Sequence, residues 1–335
     1  MPDLSTFERF SLAHLPTPFE EWKRLGAALG MRLYAKRDDC TGLAFGGNKT
    51  RKLEFLIGDA LATDAKCLVT VGAIQSNHCR QTVAAANKAG LPCHLVLVDQ
   101  VPIKTEAYTH SGNVQLDHLL GASIHNVESK EAAPEFILNL ISELQDADKS
   151  PYFMPPGGST AIGALGYVAC AMELAGQAEI ADIKLDHVVV ASSSAGTQAG
   201  LVAGFAALGA DVKVHGINVY EDDPAKLTEA VAGLADETLS LLGIEAAAPE
   251  TIVHGNYRGE GYGIPTDGMF EALKLTAREE GVLLDPVYTG KGMAGLMGLA
   301  RAGAFGEDET VTFIHTGGTP GLFAYTPQFG AAPAS

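Results

Sequence analysis

Lys49 stands in the string Gly46-Gly-Asn-Lys-Thr-Arg-Lys-Leu-Glu54, directly after a glycine pair and at the opening of a helical pattern. An amine at a helix N-terminus meets the positive end of the backbone dipole, and that field and burial both favour its neutral form. A neutral amine is what imine chemistry with an aldehyde requires. The alternative is a solvated lysine at a helix start, with Arg51 and Lys52 as ordinary surface charges. A second string, Ser192-Ser-Ser-Ala-Gly-Thr197, follows an apolar β-branched run. Small side chains let backbone N–H groups approach a phosphate, and a following helix adds its dipole. The string has no P-loop lysine and is not G-x-G-x-x-G, which disfavours a triphosphate and a dinucleotide and leaves a single phosphate as the natural occupant.

Three further strings put polar groups into glycine-rich turns. Ser76-Asn77-His-Cys-Arg80 opens a helix, so Ser76 and Asn77 either cap it or point into a cleft. His78 and Cys79 read as packed helix residues, because adjacent helix positions do not face each other. Tyr257-Arg-Gly-Glu-Gly-Tyr-Gly263 and Leu284-Asp-Pro-Val-Tyr-Thr-Gly-Lys291 each place a tyrosine where it can stack on a flat ligand, move a proton, or pack a loop onto the core. His315 reads as a satisfied strand-end residue. The ten histidines form no HxH or HExxH pattern and no Cys/His cluster, and no GxSxG elbow occurs. Metal binding and a hydrolase triad therefore lack support.

Elements must bring these strings together. Expected strands are 32–36, 67–71, 93–98, 123–127, 187–191, 212–219 and 311–315. Expected helices are 50–62, 77–89, 112–120, 131–146, 161–176, 197–208, 224–242, 267–280 and 291–303. Short apolar strands between amphipathic helices predict an α/β fold whose parallel-rich sheets carry helices on both faces. Four Gly/Ser/Thr-rich turns, at 71–77, 156–160, 191–197 and 316–319, follow strands. Ligands in such folds sit beyond the carboxyl ends of strands, so one cleft assembled from these four turns is expected. The length, 335 residues, suits two domains, and such a chain buries roughly 75% of its unfolded surface. With 23 Lys+Arg against 40 Asp+Glu the formal charge is −17, which disfavours nucleic-acid binding but not a small anionic ligand. Five cysteines without a CxxC suit a reducing cytosol. The N-terminus shows no signal-peptide pattern, the stretch 161–175 reads as too short to span a bilayer, and 330–335 reads as a frayed tail.

Six pieces occur in the order of one family: Lys36-Arg-Asp-Asp39, Gly46-Gly-Asn-Lys-Thr-Arg-Lys52, Gly72-Ala-Ile-Gln-Ser-Asn-His78, Ser194-Ala-Gly-Thr197, Leu284-Asp-Pro-Val-Tyr-Thr-Gly-Lys291 and His315-Thr-Gly-Gly318. Over about residues 5–327 the chain resembles the pyridoxal-phosphate fold-type II enzymes, tryptophan synthase β-like, that include 1-aminocyclopropane-1-carboxylate deaminase, D-cysteine desulfhydrase and L-cysteate sulfo-lyase. The resemblance implies a large cofactor-binding domain from 1–51 and 161–335, a small inserted α/β domain at 52–160, and a homodimer. It implies that Lys49 holds pyridoxal 5'-phosphate as an imine and then shuttles the α-proton. Asn48 and Asn77 would contact the cofactor, Asn77 at its ring hydroxyl. Ser194, Ala195, Gly196 and Thr197 would cradle the phosphate, and Tyr288 would stack on the ring. Ser76 would face the carboxylate of a small amino-acid substrate, with His78 beside it and Tyr262 opposite.

Thr289 and Thr316 stand where the deaminase carries Glu and Leu. A carboxylate at the ring nitrogen keeps it protonated and strengthens the electron sink, whereas a hydroxyl leaves it neutral. Simple β-elimination needs the weaker sink, so cyclopropane opening is disfavoured. Between leaving groups, Arg258, four residues before Tyr262, could supply the extra cation that a sulfonate needs. On that ground L-cysteate sulfo-lyase is the first expectation and D-cysteine desulfhydrase the alternative, ahead of a non-catalytic ligand sensor.

Overall fold

A computed structural model describes residues 2–245 and 247–329, so the tail 330–335 lies outside the described residues. The strands are β1 (Phe19–Glu21), β2 (Arg32–Lys36), β3 (Cys67–Ala73), β4 (Cys93–Val98), β5 (Ser123–Val127), β6 (Pro151–Met154), β7 (His187–Ser192), β8 (Lys213–Asn218), β9 (Ile252–His254) and β10 (Thr310–Ile314). The helices are α1 (Lys23–Leu29), α2 (Asn48–Ala62), α3 (Asn77–Ala89), α4 (Glu106–His110), α5 (Asn113–Leu119), α6 (Ala133–Asp146), α7 (Ala161–Ile180), α8 (Gly196–Ala207), α9 (Pro224–Leu241), α10 (Asp267–Glu280), α11 (Thr289–Arg301) and α12 (Gly321–Ala324).

Two sheets form. The six-stranded sheet runs β1-β2-β10-β7-β8-β9 and the four-stranded sheet runs β5-β4-β3-β6. Every pairing is parallel except β1 with β2. Each expected strand and helix is present within a few residues, and β1, β6, β9, α1, α4 and α12 are additional. Those six are short, and β1, β6 and β9 are partly exposed edge strands, so little hydrophobic patterning marks them.

The long helices α2 and α7 pack against each other at backbone distance. A Cβ on Gly166 would lie 2.4 Å from the Arg51 carbonyl oxygen and 2.7 Å from the Lys52 nitrogen. Helix α7 runs for 20 residues, longer than expected, because no breaker stops it before Ile180. It is thus long and apolar enough to cross a membrane by length and composition, but here its residues Leu165, Tyr167, Val168 and Leu174 are wholly buried in a core shared with β7 and α8.

Arg51 belongs to that interior and not to the surface. Its guanidinium donates to Asp38 Oδ1 and Oδ2 at 2.9 Å and to Glu173 Oε1 at 2.9 Å. Burial works against the charge on Asp38, but the charge and hydrogen bonds of Arg51, the Tyr167 hydroxyl and the Lys36 cation together outweigh it and hold the carboxyl below its ordinary range. This cluster fixes the loop before α2 and therefore the start of the helix that carries Lys49.

Candidate active site

The N-termini of α2, α3 and α8 converge with the carboxyl ends of β3 and β7 on one cavity of about 820 Å³. All four glycine-rich turns contribute to its wall, through Gly72–Ala73, Gly157, Ser192–Ala195 and Thr316–Gly317.

Lys49 is the second residue of α2 and lines the cavity. Its Nζ donates to Asn48 Oδ1 at 3.2 Å. Burial and the Arg80 guanidinium push its pKa from 10.5 down to about 8, against the pull of Asp285. The amide of Asn48 donates to Thr197 Oγ1 at 2.9 Å, which ties the start of α2 to the start of α8.

Asn77 sits on the wall with its amide orientation fixed from behind. Its Oδ1 accepts from Arg80 Nη1 at 2.7 Å and from Asn113 Nδ2 at 3.0 Å, which leaves the Nδ2 donors for a ligand. Arg80 also donates to the Gly46 carbonyl at 3.0 Å. Ser76 lines the cavity, yet its Oγ accepts from the Cys79 N–H at 3.1 Å and caps α3, so capping and wall position coincide. His78 shares a 2.8 Å hydrogen bond with Thr70, and burial pushes its pKa well down, so it stands on the wall as a neutral ring. Cys79 is fully buried behind Ser76. His315 is likewise buried, between the Leu283 carbonyl and the Gly317 N–H.

The turn into α8 has the form of a phosphate cradle. Ala195 holds φ 67° and ψ −45°, a strained conformation for a residue with a Cβ, and directs the chain into the first turn of α8. A Cβ on Gly196 would meet Ser159 Oγ at 2.7 Å and Lys52 Nζ at 2.8 Å. Lys52 is buried beneath, donating to the Gly157 carbonyl at 3.0 Å and to Ser159 Oγ at 3.3 Å, and burial pushes its pKa well down. Ser159 Oγ donates to Ser194 Oγ at 2.9 Å. Ser192 Oγ is buried on the cavity wall with no hydrogen-bond partner. An orphaned hydroxyl, first-turn amides and a buried amine together fit a phosphate group. With Lys49 as imine partner and Tyr288 as a flat wall, the residues present fit pyridoxal 5'-phosphate.

Tyr288 and Tyr262 share a hydrogen bond between their hydroxyls at 2.5 Å, and Tyr220 packs edge-on to Tyr262. Burial pushes both phenols up, so they are neutral at physiological pH. Asp285 organises this turn, its carboxylate accepting from the N–H groups of Val287, Tyr288 and Thr289.

Two expected site residues lie elsewhere. Thr289 is fully buried and its hydroxyl donates to Asp285 Oδ1 at 2.7 Å, so of the threonine pair only Thr316 reaches the cavity. Arg258 does not line the cavity either. Its half-buried guanidinium pairs instead with the exposed Asp222 at 2.8 Å. Lys52, Arg80, Asn113 and Ser159 serve the site without having been singled out. Lys52 is three residues past Lys49 and Arg80 three past Asn77, the spacing that stacks side chains on one helix face. That signal was available. Asn113 is brought in by tertiary structure alone.

Comparison with known proteins agrees with this chemistry. The profile of the family described as pyridoxal-phosphate dependent enzyme matches residues 10–317. The chain therefore belongs to the pyridoxal-phosphate dependent enzyme family. It is 43% identical over 328 residues to a D-cysteine desulfhydrase of Serratia proteamaculans (strain 568), covering 97% of this chain and 98% of that one. It is 45% identical over 326 residues to a D-cysteine desulfhydrase of Salmonella paratyphi C (strain RKS4594), with the same coverage. Among solved structures, one described as an ACC deaminase homologue superposes with a TM-score of 0.87 at 39% identity, covering 97% of this chain and 96% of that one. A threonine deaminase from Solanum lycopersicum, at TM-score 0.64 and 17% identity over 91% of this chain and 80% of that one, shares the fold. The α/β architecture is thus that of the fold-type II enzymes, and pyridoxal phosphate is the cofactor.

Proposed function

We propose that the chain is a carbon–sulfur lyase that eliminates sulfide from D-cysteine, leaving pyruvate and ammonium. The observation that carries the reading is likeness over nearly the whole length to proteins of that name. The place of Arg258 supports it over the sulfonate reading, since the cation expected to hold a sulfonate is engaged by Asp222. Thr289, which stands where the deaminase carries a carboxylate, has its hydroxyl committed to Asp285, and that supports β-elimination over cyclopropane opening.

When bound, pyridoxal phosphate withdraws electron density from the substrate α-carbon. The residues do the rest. The turn at Ala195–Thr197 and Lys52 would hold the phosphate, the free Asn77 Nδ2 would donate to the ring oxygen, and Tyr288 would offer its ring as a flat wall. Lys49 Nζ, with its low pKa, would hold the cofactor and, as a free amine, would accept the α-proton. We assign to the Tyr262 hydroxyl, neutral and linked to Tyr288, the donation of a proton to the departing sulfur. A small amino-acid substrate, a homodimer and a cytoplasmic location accompany this reading, the last supported by five free cysteines, four of them buried.

The test supplies D-cysteine, L-cysteine and L-cysteate separately to the purified holoenzyme and quantifies sulfide, sulfite and pyruvate. Equimolar sulfide and pyruvate from D-cysteine are expected. Sulfite from L-cysteate with no sulfide from D-cysteine would overturn the proposal.

A further inference from the structure

Behind Asn77 lies a buried acid that the chemistry above does not use. Asp117 follows Asn113 by four residues on α5, so the two side chains share one face of that helix. The Asn113 amide donates to Asn77 Oδ1, and Asn113 Oδ1 accepts from Arg80 Nη1. That face of α5 therefore packs on Arg80, the residue that orients Asn77. Asp117 is wholly buried, and neither of its carboxyl oxygens has a hydrogen-bond partner among the described residues. Arg80 is equally buried. Its Nη1 serves Asn77 and Asn113 and its Nη2 the Gly46 carbonyl, but its Nε has no partner among the described residues either. Burial works against the charge on Arg80, and Asp117, ahead of Asp285, is the group that opposes it. The other titratable groups facing Asp117 are the thiols of Cys79 on α3 and Cys93 on β4, which burial and Asp117 push up, so neither brings a charge. Burial drives the pKa of Asp117 itself up to about 8 against the pull of Arg80, so the carboxyl keeps its proton at neutral pH.

We infer that Asp117 is a positioning residue for the cofactor: protonated, it leaves the Arg80 guanidinium committed to Asn77, and ionised, it competes for that cation and loosens the hold of Asn77 on the ring oxygen. The inference concerns the cofactor site and does not depend on which amino acid the enzyme consumes. With Asp117 neutral, the Arg80 charge bears on Asn77 Oδ1 and polarises the amide, so its free Nδ2 donors bind an anionic ring oxygen more strongly. With Asp117 ionised, its two free oxygens and the free Arg80 Nε become an opposite-charge pair inside the protein, and the field of Arg80 toward the cavity is offset. Lys49 feels the same change, because Arg80 is, after burial, what keeps its amine neutral. The grip on the ring should thus weaken as pH rises through the titration of Asp117. Imine capture by Lys49 runs the other way, so a ligand without an aldehyde separates the two.

The experiment strips the full chain of cofactor and titrates it with 4'-deoxypyridoxine 5'-phosphate, which keeps the ring hydroxyl and the phosphate but carries a methyl group in place of the aldehyde. Inorganic phosphate, which occupies the cradle without reaching Asn77, is the control. The parent and Asp117→Asn are compared across the pH range. The ligand's own titrations are common to both proteins, so the ratio of parent to variant affinity is the readout. For the ring analogue that ratio should fall up to about tenfold between pH 7 and pH 9, the loss expected when only the protonated form holds the ring. For inorganic phosphate it should stay constant. Asp117→Leu, uncharged and of similar size, should behave as Asp117→Asn does and serves in its place if the latter does not fold. A ratio for the ring analogue that does not change with pH would overturn the inference. An equal fall for both ligands would also overturn it, since Asp117 would then act on the fold as a whole and not through Asn77.

Discussion

The depressed pKa of Lys49 makes cofactor capture a sharp test of the site. The fall from 10.5 to about 8 corresponds to a penalty of roughly 3 kcal/mol on the charged amine. At pH 7.5 about a quarter of the amine is then neutral, against about one part in a thousand for an ordinary lysine, a difference of roughly 200-fold in reactive amine. Stripped of cofactor and mixed with pyridoxal phosphate in a stopped-flow instrument, the protein should form its imine absorbance at a rate that climbs through a midpoint near pH 8. The same shift has a stability consequence. A lysine whose pKa is lower folded than unfolded destabilises the fold fully below about pH 8, and the penalty disappears as pH rises toward 10.5. Lys49→Met should therefore abolish turnover and imine absorbance, yet raise the stability of the cofactor-free protein at pH 7 by up to ~3 kcal/mol in urea unfolding. A capture midpoint near pH 10, or a Lys49→Met protein less stable than the parent at pH 7, would refute the reasoning.

Three other substitutions test separate parts of the structure. Tyr262→Phe removes the hydroxyl that faces Tyr288 and should lower kcat on D-cysteine by about 10²-fold or more if that hydroxyl donates the proton; an unchanged kcat would remove it from the reaction. Lys291 is buried and donates to the carbonyls of Arg258 at 2.6 Å and Gly261 at 3.0 Å, so Lys291→Met should free the loop that carries Tyr262, raising KM more than it lowers kcat and exposing the loop to limited proteolysis. Gly166→Ala drives a methyl group into the backbone of α2 and should cost about 1–3 kcal/mol, read as a lower Tm with the cofactor absent.

The strands and helices that carry the site were legible because each is long enough for its hydrophobic period to show. The strands 93–98 and 123–127 and the helices 77–89 and 267–280 match residue for residue. The cleft was legible too, since glycine-rich turns after parallel strands have one common place to go. Side-chain direction was not. Arg258 was assigned to substrate from its spacing to Tyr262, but Asp222, 36 positions earlier, captures it. Thr289 was assigned to the cofactor from its place in a motif, but the turn built by Asp285 consumes its hydroxyl. Arg51 and Lys52 looked like surface charges because nothing local shows that Asp38 and Glu173 meet the first, or that Gly157 and Ser159 meet the second. In each case the deciding partner is distant in sequence or belongs to the turn's own backbone.

Those buried cations connect the acidic composition to the ligand. The chain carries a formal charge of −17 and must still hold a phosphate. Lys36, Arg51, Lys52, Arg80 and Lys291 are all completely buried, and of these Lys52 adjoins the cradle at Ser159 and Gly196. Arg51 and Lys36 are paired with carboxylates, whereas Lys52 meets only neutral groups, the Gly157 carbonyl and Ser159. Burial, and behind it the charge of Lys49, keep Lys52 neutral without a ligand. A phosphate dianion settling on the α8 turn reverses that balance, since an adjacent opposite charge favours the ammonium form. Binding should then take up a proton at Lys52. The phosphate alone isolates this step from imine formation. Calorimetry with inorganic phosphate, in buffers of different ionisation enthalpy at pH 7.5, should show net proton uptake in the parent that is lost in Lys52→Met. Equal uptake in both proteins would mean that Lys52 is already charged, and that its hydrogen bonds to Gly157 and Ser159 outweigh its burial.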